Sequence, residues 1–130
     1  MPIEHRTDHD RRIVFAAARD PLTDADFFDY QRTVWGRPEV AGYDELVDMS
    51  AVKDIPTPSR NRLRDLAVVS AAADLPAQPS KLAIVAPNAL AFGLGRMYEA
   101  FRELVALGNK EVAVFRSRGE ALKWLGVEST

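Results

Sequence analysis

The chain contains no cysteine. That absence removes disulfides, thiolate metal ligands, a cysteine nucleophile and thiol redox chemistry together. Histidine is almost as scarce, with only His5 and His9, both near the N-terminus. No apolar run approaches the roughly 20 residues needed to span a bilayer, so membrane insertion is not expected. Neither sign of charge predominates: 17 Lys and Arg stand against 19 Asp and Glu, a net charge of -2. No general field therefore draws the chain to nucleic acid or anionic lipid. The opening Met-Pro-Ile-Glu-His-Arg lacks the basic-then-apolar shape of a secretion signal, and a cytoplasmic location is the expectation. What remains is ordinary for a globular chain. The 130 residues, 47% hydrophobic and 28% charged, predict one α/β domain over residues 1–130.

Residues 3 to 7 and 12 to 18 read as two strands of a hairpin, joined by the polar Asp8-His9-Asp10-Arg11. Pro21 ends the second. Thr23 is placed to cap a helix whose first turn carries Asp24 and Asp26 and whose apolar face is Phe27, Phe28, Val34 and Trp35. Gly36 and Pro38 stop that helix. Tyr43 to Met49 reads as a central strand reaching a loop at Asp48-Met49-Ser50. Ser59 is placed to cap a second helix running to about Ala73, and Pro76 and Pro79 lead into the most strand-like run, Lys81 to Ala86. Asn88 is placed to cap a third helix with apolar residues at 3.6 spacing up to Gly108, Glu111 to Phe115 is the last strand, and Gly119 to Leu125 a final short helix. The order β-β-α-β-α-β-α-β-α predicts a mostly parallel sheet with an antiparallel N-terminal edge strand and helices packed on it.

The junctions in this order carry a resemblance. Val47-Asp48-Met49-Ser50 resembles the strand end of STAS domains typified by anti-sigma-factor antagonists. With Ala17-Ala18-Arg19-Asp20-Pro21-Leu22-Thr23-Asp24, and with Ala83-Ile84-Val85-Ala86 leading into Leu90-Ala91-Phe92-Gly93-Leu94-Gly95-Arg96-Met97, the chain from about residue 10 to 126 is similar to the SpoIIAA-like family of small bacterial proteins. That family's fold is shared in outline with CRAL-TRIO lipid-transfer domains. The resemblance implies a STAS-like domain acting as a non-enzymatic binding or regulatory module. Antagonist-like members are switched by phosphorylation of a serine in an Asp-Ser-Ser-Gly motif. At the corresponding place this chain has Pro56-Thr57-Pro58-Ser59, which keeps hydroxyls at Thr57 and Ser59 but replaces the glycine and adds two prolines. Fold kinship alone does not carry function across.

Three candidate sites follow from the residues. Ser59-Arg60-Asn61-Arg62-Leu63-Arg64 opens a helix after a parallel strand, where free N–H groups and arginines can hold a phosphate, a carboxylate or a partner surface. The competing reading is a solvated helix start whose arginines pair with Asp54, Asp65 or water. Arg96, one turn into the next helix, is placed to face the same ligand as Arg60 and Arg62, with Ser50, Thr57 and Ser59 as hydroxyl donors. Gly93-Leu94-Gly95 matches neither nucleotide fingerprint and is read as a site of close helix approach. Second, Phe28, Trp35, Phe92, Met97, Phe101 and Trp124, with Phe27 and Tyr98, either line an apolar pocket or fill the core. Third, a surplus apolar face on the Phe92 to Val105 helix offers a homodimer contact.

His5, Asp8, His9 and Asp10 do not share a face in a strand and turn, so no metal site is expected there. No Gly-x-Ser-x-Gly elbow accompanies the histidines, and Asp48 beside Ser50 reads as a loop-organising pair. No enzyme activity and no cofactor are expected. The expected function is a binding or regulatory module for an unknown protein or small molecule, with a carrier of a small apolar or lipid-like ligand and a Ser/Thr phosphorylation switch as alternatives.

Overall fold

The computed structural model describes residues 3–20, 22–53, 60–72, 79–104 and 109–127. Five strands, β1 (Ile3–Asp8), β2 (Ile13–Arg19), β3 (Asp44–Ala51), β4 (Ser80–Val85) and β5 (Lys110–Phe115), form one sheet in the order β1-β2-β3-β4-β5. β1 runs antiparallel to β2, with Ile3 opposite Ala18 and Asp8 opposite Ile13; all other pairs are parallel. Four helices, α1 (Asp24–Tyr30), α2 (Arg60–Ala71), α3 (Ala89–Leu104) and α4 (Arg118–Leu125), pack on this sheet. The mixed α/β order is the one expected from the sequence.

The strand order steps in a single direction, and that decides where the helices go. Parallel crossovers are right-handed, so a sheet growing one way places every crossover on the same face. Residues of α1, α2 and α3 accordingly share a core with Val14, Ala16 and Ala18 of β2, Val47 and Met49 of β3, Leu82 and Ile84 of β4 and Val112 of β5. Only α4, which follows the last strand and crosses nothing, reaches the opposite face. There Ala121, Leu122 and Leu125 bury Ile13, Phe15, Leu46, Ala83 and Val85. Alternate residues of β2, β3, β4 and β5 thus serve two cores, as period-two geometry requires.

The caps follow the local chemistry. Thr23 donates its N–H to Asp26 Oδ2 at 2.8 Å, and its hydroxyl donates to the same oxygen at 3.1 Å. Asn88 Oδ1 accepts the Ala91 N–H at 2.8 Å, while its amide donates 2.7 Å to the Val52 carbonyl and ties the start of α3 to the end of β3. Ser117 caps α4 by accepting from the Glu120 N–H, and Gly126 ends it in the left-handed region with φ 77°.

Several boundaries differ from the sequence reading. β3 runs on to Ala51, so Ser50 lies within the strand and its N–H donates to Asp48 Oδ1 at 2.9 Å. α2 ends at Ala71, and a 3-10 turn at Pro38–Val40 was not anticipated. The largest difference is in the first helix, which gives way after Tyr30 to a π-helical turn, Gln31–Trp35. Gly36 closes it, because a Cβ there would lie 2.5 Å from the Arg32 carbonyl oxygen.

Candidate functional site

β3 presents Glu45, Val47 and Met49 to the three-helix face, so the alternation that buries two apolar side chains also buries an acid. Glu45 is 3% exposed. Burying a carboxylate is costly unless it is paired and hydrogen-bonded, and this one is both. Its Oε2 accepts from the Tyr30 hydroxyl at 2.6 Å and from Trp35 Nε1 at 3.1 Å, and its Oε1 faces Lys110 Nζ at 3.3 Å. The Lys110 ammonium also sits 3.6 Å from the centre of the Trp35 ring.

The π turn explains how two donors five residues apart reach one oxygen. In an α-helix such residues diverge by about 140° around the axis. The i to i+5 spacing of a π turn brings them back toward one side, and wide turns of this kind recur at functional sites. Burial, followed by the negative charge of Glu45 and the hydrogen bond to it, holds the Tyr30 hydroxyl well above the ordinary tyrosine value.

Above this cluster lies a cavity of about 100 Å³, between the helix layer and the sheet. Its floor includes Tyr30, Glu45, Val47, Leu82, Ile84 and Tyr98, all buried. Half-buried Phe27, Phe28, Gln31, Leu63 and Leu94 and exposed Arg62 stand on the solvent side. The Arg62 guanidinium lies 4.4 Å from the centre of the Phe28 ring, which places a cation over an aromatic wall of the cavity. Tyr98 pairs through its hydroxyl with Ser70 Oγ at 2.5 Å, joining α3 to α2 beside the cavity. Among the described residues, the space is walled by apolar side chains, with the Arg62 cation at its rim and the internally paired Tyr30 and Tyr98 hydroxyls below.

The anticipated residues divide. Arg62 lines this cavity, but Arg96 does not: it lies on the outer side of α3, 3.3 Å from Glu99. Arg60 opens α2 with its side chain outside the described residues, and Thr57 and Ser59 lie outside them altogether. Ser50 is exposed at the end of β3 and does not line the cavity.

Of the aromatic set, Phe27, Phe28 and Tyr98 line the cavity. The remainder do not line it, and three of them take the core-filling alternative. Trp35 is buried among core residues and bound to Glu45, while Phe92 and Phe101 pack on the same core, Phe92 beneath the Arg116 guanidinium at 4.2 Å. Met97 is 39% exposed. Trp124 belongs to the opposite face of the sheet, against Phe115 and under Lys81. Helical periodicity grouped these residues, yet the sheet sets Trp124 apart from the others.

At the N-terminus, His9 Nδ1 is 2.7 Å from the Tyr43 hydroxyl and Asp8 binds Arg11, which lowers the Asp8 pKa through the Arg11 backbone N–H and side chain. Gly95 makes the close approach read from the sequence, since a Cβ there would meet the Val114 methyls at 3.1 and 3.2 Å. Gly93 does not, having nothing within 4 Å. Sequence reasoning missed Glu45, Tyr30 and Lys110. The available indication was an acid at an inward position of Glu45-Leu46-Val47-Asp48-Met49; its partners come from elements that only the sheet brings together. No family model, curated protein or solved structure matches this chain.

Proposed function

We propose that this domain is a non-enzymatic binding module of STAS-like type whose ligand is a small amphipathic carboxylic acid, its apolar body held in the cavity between α1, α2, α3 and the sheet. The observation that carries the reading is the cavity itself, walled by Phe27, Phe28, Leu63 and Ile84 and bordered by Arg62. Its ionisable floor is committed to internal pairs: both Glu45 oxygens take donors from the protein, which suits a structural floor better than proton transfer. Each ligand methylene withdrawn from water contributes about 0.8 kcal/mol, so six carbons give about 5 kcal/mol against about 1.5–3 for a hydrogen bond to the Arg62 charge. Affinity then follows chain length, and the charge sets orientation.

Native mass spectrometry of freshly purified protein, followed by calorimetric titration with octanoate, tests the reading. Expected are saturable binding, its loss in Ala91→Phe, which fills the cavity, and a weaker affinity in Arg62→Ala for octanoate but not for octanol. Octanoate binding that Ala91→Phe leaves intact, or no saturable binding by the wild type, sinks it.

A further inference from the structure

We propose that α3 packs antiparallel against α3 of a second copy of this chain. Along the outward side of this helix run Leu90, Gly93, Met97, Ala100 and Leu104. All five are exposed, Leu90 by 41%, Met97 by 39% and Leu104 by 80%. None is charged, although the helix also carries Arg96, Glu99, Arg102 and Glu103. The spacing of three, four, three and four residues is that of a coiled-coil seam, with large residues at one position and small ones at the other. Scattered exposed apolar residues are normal, whereas a continuous ridge over a helix about 24 Å long is the mark of an interaction surface.

Shape and charge together choose the occupant and its direction. With the two helices antiparallel about an axis near Tyr98 and Glu99, Met97 faces the partner's Ala100 and Leu104 faces the partner's Gly93. Each large side chain meets a small one. The open space around Gly93, where a Cβ would touch nothing within 4 Å, receives the leucine. The same pairing lays Arg96, which flanks the ridge one residue before Met97, beside the partner's Glu103, which flanks it one residue before Leu104. Two-fold symmetry makes that ion pair twice. A parallel pair does the opposite: it sets Met97 on Met97, Gly93 on Gly93 and Arg96 level with Arg96. A second copy in antiparallel register is therefore the partner that satisfies both the ridge and its flanking charges. Leu94 and Phe101, half-buried on the other flank, extend the contact toward α2, where Val68 and Val69 are exposed.

Sedimentation equilibrium of the full chain provides the test. The wild type is expected to dimerise, and Met97→Glu to be monomeric with an unchanged circular dichroism spectrum, since Met97 is 39% exposed and is not one of the buried core residues. Arg96→Glu and Glu103→Arg are each expected to raise the dimer dissociation constant by roughly tenfold. The double variant, which restores opposite charges, is expected to recover it. A wild type that stays monomeric to its solubility limit, a dimer that survives Met97→Glu, or a charge-reversed double variant no tighter than either single one overturns the proposal.

Discussion

Glu45 and Lys110, 65 residues apart in the chain, form an ion pair at 3.3 Å inside the three-helix face, with side chains 3% and 6% exposed. Tyr30 and Trp35 complete the surroundings of the carboxylate. The cluster links the π turn, β3 and β5, and it forms one end of the cavity floor.

Removing one partner of a buried pair leaves an uncompensated charge, at about 3–5 kcal/mol. Lys110→Met is thus expected to lower the urea midpoint by that equivalent, while the double variant Glu45→Gln/Lys110→Met costs less than the sum of the two single changes. Equilibrium urea unfolding followed by tryptophan fluorescence measures both. Additive effects would mean the two groups do not act as a pair.

Tyr30 makes alkaline stability depend on pH. Its native pKa is raised, first by burial and then by Glu45, whereas the unfolded tyrosine ionises near pH 10. Its contribution is therefore complete below about pH 10 and is lost as pH rises from there toward the native pKa, at about 1.4 kcal/mol per pH unit. Tyr30→Phe is expected to remove that slope and, at neutral pH, to cost about 1–3 kcal/mol because Glu45 loses a donor. Unfolding curves between pH 9 and 11 decide; an identical slope in wild type and variant would exclude Tyr30 as its source.

Gly93 and Gly95 lie two residues apart on α3 but meet different surroundings. Gly93→Ala adds helix propensity into open space and is expected to stabilise by about 1 kcal/mol. Gly95→Ala gains the same propensity but presses its methyl against Val114, where overpacking costs about 1–3 kcal/mol. It is therefore expected to be the less stable of the two variants. Thermal unfolding in the Met97→Glu background isolates the comparison from ridge packing, and the reverse order would refute the close approach at Gly95.

Much of the architecture was legible in the chain. Thr23, Gly36 and Asn88 mark turns and caps through local chemistry, and such signals do not need the rest of the protein. Ile13-Val14-Phe15 and Leu82-Ala83-Ile84 read as strands because β-branched and aromatic side chains suit a buried sheet. The site was legible only in fragments. Arg62 and Phe28 were singled out for separate reasons, anion binding and an apolar pocket, and the fold sets them 4.4 Å apart at one cavity. Arg96 and Trp124, singled out with equal reason, stand elsewhere.

By itself, the sequence determined the succession of strands and helices, since periodicity and caps act within a few residues. Only the tertiary structure decided which face each element covers. A strand carries two opposite faces of similar apolarity, and the assignment of α1, α2 and α3 to one and α4 to the other follows from strand order and crossover handedness. It alone also decided that Glu45 is buried with Tyr30, Trp35 and Lys110. A carboxylate leaves water when separate segments supply its donors together, and no local stretch of this chain holds them all.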